Sequence, residues 1–287
     1  MIEALHFEFM RNALMAGVLA SVICGVIGTL IVVNRLVFLS GGVAHSAYGG
    51  IGLSFYLGIP YMLGAVGFSF LAAMFMAAVT IKSKQRSDTI IGVIWAVGMA
   101  TGILLLDMTP GYNVDLMSYL FGSILSVPFS DLLTMSIIGG LILLLIAYYF
   151  QDLLVMSYDE EFAMVRGVPV RGLYFLLIGI VAITVVMVVQ VVGLILVIAL
   201  LTIPPYIAEK YTRSLFQMMM LSCCLALIFT IGGLWASYAF DLTSGAVIIF
   251  LAGIAFFLSL LTDRVILLGR KRSMIRSHEE EVKRVNK

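Results

Sequence analysis

Charge is what this chain has least of. Only 11% of its 287 residues are Asp, Glu, Lys or Arg, while 62% are apolar. A soluble domain carries about 25% charged and about 45–50% apolar residues, so this chain has too little polar surface to cover a globule in water. A soluble fold is excluded, as are a disordered chain and a nucleic-acid-binding one. Cysteine is equally sparse. Cys24, Cys223 and Cys224 lie in apolar runs, with neither CxxC spacing nor the even number of a disulfide framework, and read as thiols facing lipid or core. The first apolar run, residues 12–33, is too long for a cleaved signal peptide and has no basic segment before it.

Several functional motifs are missing too. No GxxxxGK[ST] occurs, so the chain has no P-loop for ATP. No HExxH occurs, because Glu279 after His278 has no second histidine four residues on. There is no TVGYG filter and no basic cluster inside an apolar run, which removes a potassium filter and a voltage sensor. Proton- and sodium-driven transporters use intramembrane Asp, Glu or Lys for coupling. Here the mid-span positions offer only His45 and the neutral Gln190. Energy for any pumping must therefore come from another chain.

What is present is a series of long apolar runs. A membrane-crossing helix needs about 20 apolar residues. Polar residues divide the chain into runs at 12–33, 36–58, 61–81, 89–106, 132–150, 215–240 and 246–261. A further run, 172–204, is too long for one straight span and is split near Gln190. The short stretch 116–127 reads as a re-entrant or interfacial helix. Lipid offers backbone groups no partners, so every span is helical, and the runs do not alternate as barrel strands would. The expected fold is an all-α polytopic bundle of about 8–9 transmembrane helices. Residues 1–262 form the membrane domain, including a cytoplasmic loop at 151–171, and residues 263–287 form a polar cytoplasmic tail of mixed charge.

Net charge is only +1 and says nothing by itself about partners. Its distribution says more. With residues 82–86 in the cytoplasm and sides alternating, 16 of the 17 Lys and Arg residues share that side, and only Arg11 falls on the other. The opposite turns carry Asp107, Asp115, Asp131 and Asp241 without a basic residue. This positive-inside bias predicts the N-terminus outside and the C-terminus inside.

Two segments carry candidate chemistry. In the second run, His45 lies about 15 Å beyond Arg35, near the bilayer midplane. Gly41, Gly49 and Gly52 share its helical face and are expected to leave its ring open space. Gly42, Ser46 and Gly50 form a second stripe of small residues that lets another helix approach closely. His45 is either packed against a neighbour's carbonyl or placed to meet a divalent transition metal ion. The second segment is the loop from Ser157 to Val170. Ser157 or Asp159 can cap a short helix there, with Asp159, Glu160 and Glu161 at its start, Gly167 at its end and Pro169 blocking continuation. Phe162 and Val165 share an exposed apolar face suited to a soluble partner.

These elements resemble the membrane permease subunits of zinc/manganese ABC importers, the ABC-3 family. The resemblance rests on six ordered stretches spanning about residues 12–262: the glycine-rich helix 41–52 around His45; Ser87-Asp88-Thr89-Ile90-Ile91-Gly92; Asp115-Leu116-Met117-Ser118-Tyr119-Leu120-Phe121-Gly122; Asp159-Glu160-Glu161-Phe162-Ala163 with Gly167-Val168-Pro169-Val170; residues 192–204; and Asp241-Leu242-Thr243-Ser244-Gly245-Ala246. It implies a multi-pass protein of the prokaryotic cell membrane, not itself an enzyme and without a cofactor of its own. Its implied partners are a second copy of the chain, cytoplasmic ABC ATPase subunits, an extracytoplasmic metal-binding protein and membrane lipid, with no nucleic acid. Zn or Mn, with Fe less often, passes transiently at His45. The segment containing Asp159, Glu160, Glu161, Phe162, Ala163, Gly167 and Pro169 is implied to couple to the ATPase. One departure stands out: many members carry Asp four residues before the histidine, where this chain has Gly41. Either one His45 from each protomer forms a weak transient site, or the cargo differs. The competing readings are an ABC permease for a metal chelate or other small solute, and a stand-alone secondary transporter.

Overall fold

The computed structural model describes residues 6–82, 87–110, 122 and 124–262. Its helices are α1 (Glu8–Val33), α2 (Val37–Leu57), α3 (Tyr61–Lys82), α4 (Ser87–Asp107), α5 (Phe129–Tyr148), α6 (Phe150–Tyr158), α7 (Glu160–Val165), α8 (Val170–Val192), α9 (Leu194–Tyr211), α10 (Leu215–Phe240) and α11 (Ser244–Thr262). No strand occurs among the described residues. Among the described residues, eight helices are long and apolar enough to cross a membrane. The ninth long helix, α2, has 21 residues, or about 32 Å of rise, and falls short in hydropathy only, because glycine, serine and histidine dilute its apolar content. Of the stretch 116–127, only Gly122, a 3₁₀ turn at Ile124–Ser126 and Val127 are described; the rest, Asp115 and the tail 263–287 lie outside the described residues.

The long run at 172–204 breaks where a glycine permits it. Gly193 has φ 86° and ψ 159°, conformations a side chain disfavours, and its N–H closes α8 by donating to Val189 O at 2.8 Å. Gln190 thus stands in the last turn of α8 and not at mid-span. The loop expected at 151–171 is shorter than the sequence suggests, because α6 continues the chain helically after a one-residue break at Tyr149.

α2 lies between α3 and α4, and α1 packs on α9 and α10; α8 joins these groups through α3 and α1. α1 and α8 are enclosed on most sides, whereas Val93, Val97 and Leu104 of α4 and Phe250 and Phe257 of α11 are exposed, as suits lipid-facing helices. Ser21 Oγ donates to Thr230 Oγ1 at 3.0 Å, a polar tie between α1 and α10 inside the bundle.

The α2 seams depend on missing side chains. A Cβ built on Gly52 would stand 2.7 Å from Gly102 Cα, and one on Gly50 would stand 2.7 Å from Ala65 Cα. Neither distance is tolerable, so α4 and α3 touch α2 backbone to backbone. Gly49 is occupied in the same way by Phe68 and by the Gly98 carbonyl. Gly49 and Gly52 therefore admit neighbouring helices rather than leaving space beside His45. Gly41 alone of that face meets nothing within 4 Å.

Candidate functional site

His45 is the ninth residue of α2 and half-buried. Its imidazole lies nearly parallel to the indole of Trp95 on α4, with centroids 4.3 Å apart and planes 16° apart. The indole is held in turn: its N–H donates to Met99 Sδ at 3.0 Å, and Phe38 meets it edge-on at 6.3 Å. The His45 Nδ1 is buried and has no hydrogen-bond partner among the described residues. One turn away, the Gly41 side is open. One face of the ring is thus covered by an aromatic, while Nδ1, in the ring plane, is left without a partner. A buried polar atom without a partner costs about 1–3 kcal/mol, and in the tautomer that leaves Nδ1 unprotonated a cation there would remove the cost.

The second candidate segment forms the end of the bundle that carries α6 and α7. Asp159 caps α7, its Oδ1 accepting the Phe162 N–H at 2.9 Å, and Glu160 and Glu161 follow in the first turn. Gly167, at φ 78°, closes the helix, with Gly167 N–H donating to Met164 O and Val168 N–H to Ala163 O, both at 3.0 Å. Pro169 then precedes α8. The turn is rigid at both ends, and its apolar residues divide cleanly. Ala163 is fully buried and points into the chain, whereas Phe162, Met164 and Val165 are exposed. An external partner would therefore meet Phe162, Met164 and Val165, with Ala163 acting from below as an anchor. Asn34 ties this segment to the α1–α2 turn through a 2.9 Å bond to Ser157 Oγ. Beside it lies a cavity of about 810 Å³ bordered by Arg35, Glu160, Arg171 and Tyr174.

At the opposite end three helices meet in a polar cluster. The Gln190 side-chain nitrogen donates to Tyr61 Oη at 2.7 Å and to Asp131 Oδ2 at 3.3 Å. Among the described residues no group of three or more His, Cys, Asp or Glu is arranged to hold a metal ion.

A family profile, the ABC 3 transport family, matches residues 6–263. The chain belongs to the ABC 3 transport family. An uncharacterized membrane protein of Synechocystis sp. is 51% identical to it over 260 residues, 91% of this chain and 92% of that protein. A manganese transport system membrane protein, MntC of Listeria innocua, is 32% identical over 273 residues, covering 94% of this chain and 97% of that one. Among solved structures, a chain of PsaBC from Streptococcus pneumoniae in complex with Fab is similar with a TM-score of 0.80 at 33% identity, covering 90% of this chain and 93% of that chain.

As a member of the ABC 3 transport family the chain is a multi-pass membrane permease. The sequence marks His45 and the α7 segment but not Trp95, which stands 50 positions away on α4. The only signal for it was rarity, since the chain has 2 tryptophans. The Tyr61 and Asp131 partners of Gln190 were equally invisible, because each opens a different helix.

Proposed function

We propose that this chain is the translocation subunit of an ATP-driven importer of a divalent transition metal ion, with manganese as the leading cargo and zinc as the close alternative. The observation that carries the reading is the unbroken family match across residues 6–263. The naming of a nearly full-length relative as a manganese transport protein favours manganese. The α6–α7 end faces the cytoplasm, a placement the bias of basic residues supports, and docks a separate ATPase through Phe162, Met164 and Val165. A second copy of the chain completes the path, and an extracytoplasmic protein delivers the ion to the other end. The metal is cargo and not a resident cofactor. His45, with its unpartnered Nδ1, is the residue that meets the ion in transit. Imidazole is a better ligand for zinc than for manganese, which prefers oxygen, and the absence of a carboxylate at Gly41 makes the hold on manganese weak, as a site that releases its ion requires.

His45→Ala tests the pathway role. Metal uptake by the full transporter is expected to fall about tenfold, equal to about 1.4 kcal/mol, without loss of folded protein. Gly41→Asp, which adds a carboxylate where space is open, is expected to raise metal affinity. Unchanged uptake by His45→Ala would remove His45 from the path.

A further inference from the structure

The Gln190 cluster brings an amide, a carboxylate and a phenol together from three helix ends. Tyr61 opens α3, Asp131 stands in the first turn of α5 and Gln190 in the last turn of α8. The Gln190 –NH₂ group serves both neighbours, donating to Tyr61 Oη and Asp131 Oδ2. Asp131 Oδ1 accepts only from the exposed Ser130 hydroxyl, at 3.3 Å. Every donor around Asp131 is neutral, and no cation pairs with it among the described residues. The carboxylate stands in the first turn of α5, where the helix N-terminus favours negative charge, and it keeps an oxygen free of any charged partner. Tyr61 is exposed and the other two are half-buried, so the cluster is open to solvent.

A primary amide has donors on one end and an acceptor on the other, at nearly equal volume. Half a turn about the last side-chain bond of Gln190 replaces its N–H groups with Oε1. Gln190 Oε1, an Asp131 carboxylate oxygen and Tyr61 Oη would then point at one place from three helices. Carboxylate, carbonyl, hydroxyl and water are the ligands that hard divalent cations such as Mn²⁺ prefer.

We propose that Tyr61, Asp131 and Gln190 form an entry site for a hard divalent cation, which the Gln190 amide keeps closed by hydrogen bonds until the ion turns it. Water fills the remaining coordination positions. A single carboxylate gives weak binding, as a site that passes its ion onward requires. Below the cluster, an apolar groove of about 250 Å³ runs between α3, α5 and α8, bordered by Phe70, Ile142, Leu145, Phe175, Gly179 and Ile183. Its walls are hydrocarbon, so the polar tie sits at one end of the seam. Exchanging hydrogen bonds for coordination at that end changes how the three helix ends are held. The inference rests on the importer reading for its divalent cargo and for taking this end as the outward one.

The test is Mn²⁺ binding to the purified transporter, followed by the loss of the free Mn²⁺ electron paramagnetic resonance signal. Wild type and His45→Ala are expected to bind an ion that Asp131→Asn does not. Gln190→Glu, which adds a second carboxylate, is expected to bind about tenfold tighter, because carboxylate count tunes affinity. A fold-based readout guards against misfolding of Asp131→Asn. The repelling carboxylates of Gln190→Glu should gain more thermal stability from Mn²⁺ than wild type does. Equal binding by wild type, Asp131→Asn and Gln190→Glu, no binding by wild type, or equal thermal gains would each overturn the entry site. Loss of all binding in His45→Ala with retention in Asp131→Asn would overturn it and leave the His45 reading standing.

Discussion

A Gly52→Leu chain is expected not to reach the folded, monodisperse state in detergent. Even the first carbon of the new side chain would stand 2.7 Å from Gly102 Cα and closer still to the Gly102 carbonyl oxygen. The obstacle is backbone, which cannot swing aside as a side-chain tip can. Overpacking a well-filled core costs about 1–3 kcal/mol even where side chains can adjust. Here α4 must move bodily, so the cost lies at or above the top of that range. α4 has little else to hold it, because its other faces are largely exposed. Gly41→Ala is the internal control. It lies three helical turns earlier on the same helix with nothing within 4 Å, and should fold as wild type. Size-exclusion profiles and thermal melts of the two variants separate the cases. A well-folded Gly52→Leu would refute the backbone contact between α2 and α4.

Phe162→Asp is expected to leave the fold intact and disconnect ATP hydrolysis from transport. The ring is exposed and anchors nothing inside the chain, so its replacement changes stability within about 0.5 kcal/mol. Its only described ring contact is Arg166, whose guanidinium lies 5.7 Å from the ring centre. α7 stays in place because its cap, its closing glycine and buried Ala163 are untouched. Against a docked ATPase the change is severe. An aromatic at the centre of an interface contributes about 2 kcal/mol or more, and a carboxylate in its place is left unpaired. The ratio of ions transported to ATP hydrolysed should fall more than about tenfold. A ratio equal to wild type would move the coupling contact away from α7.

The spans were legible in the sequence because lipid exposure enforces long apolar runs, and the polar breaks between them lie close to the observed helix ends. The break in the run 172–204 was legible as a length problem, although the residue that solves it is Gly193 and not Gln190. α6 carries the pattern of a loop in the sequence, because Gln151, Asp152 and Ser157 interrupt its apolar residues. It is a nine-residue helix that turns Leu153 and Met156 inward. The α7 segment could be read almost completely, since caps and closing glycines are local signals. Partnerships across the bundle could not. Glycine spacing on α2 marks a face suited to close approach but does not tell whether a helix or open space lies opposite. At Gly52 it is Gly102, and at Gly41 it is nothing. The Trp95 cover on His45 and the Tyr61 and Asp131 partners of Gln190 depend on which helices meet, which local pattern does not encode.

A metal conduit without its own motor moves its ion only when an ATPase drives it. The direct measurement is Mn²⁺ uptake into proteoliposomes containing the purified chain, with and without its ATPase partner and ATP. Uptake that requires both the ATPase and ATP hydrolysis is the predicted result. Uptake by the chain alone, driven by an ion gradient, would contradict it.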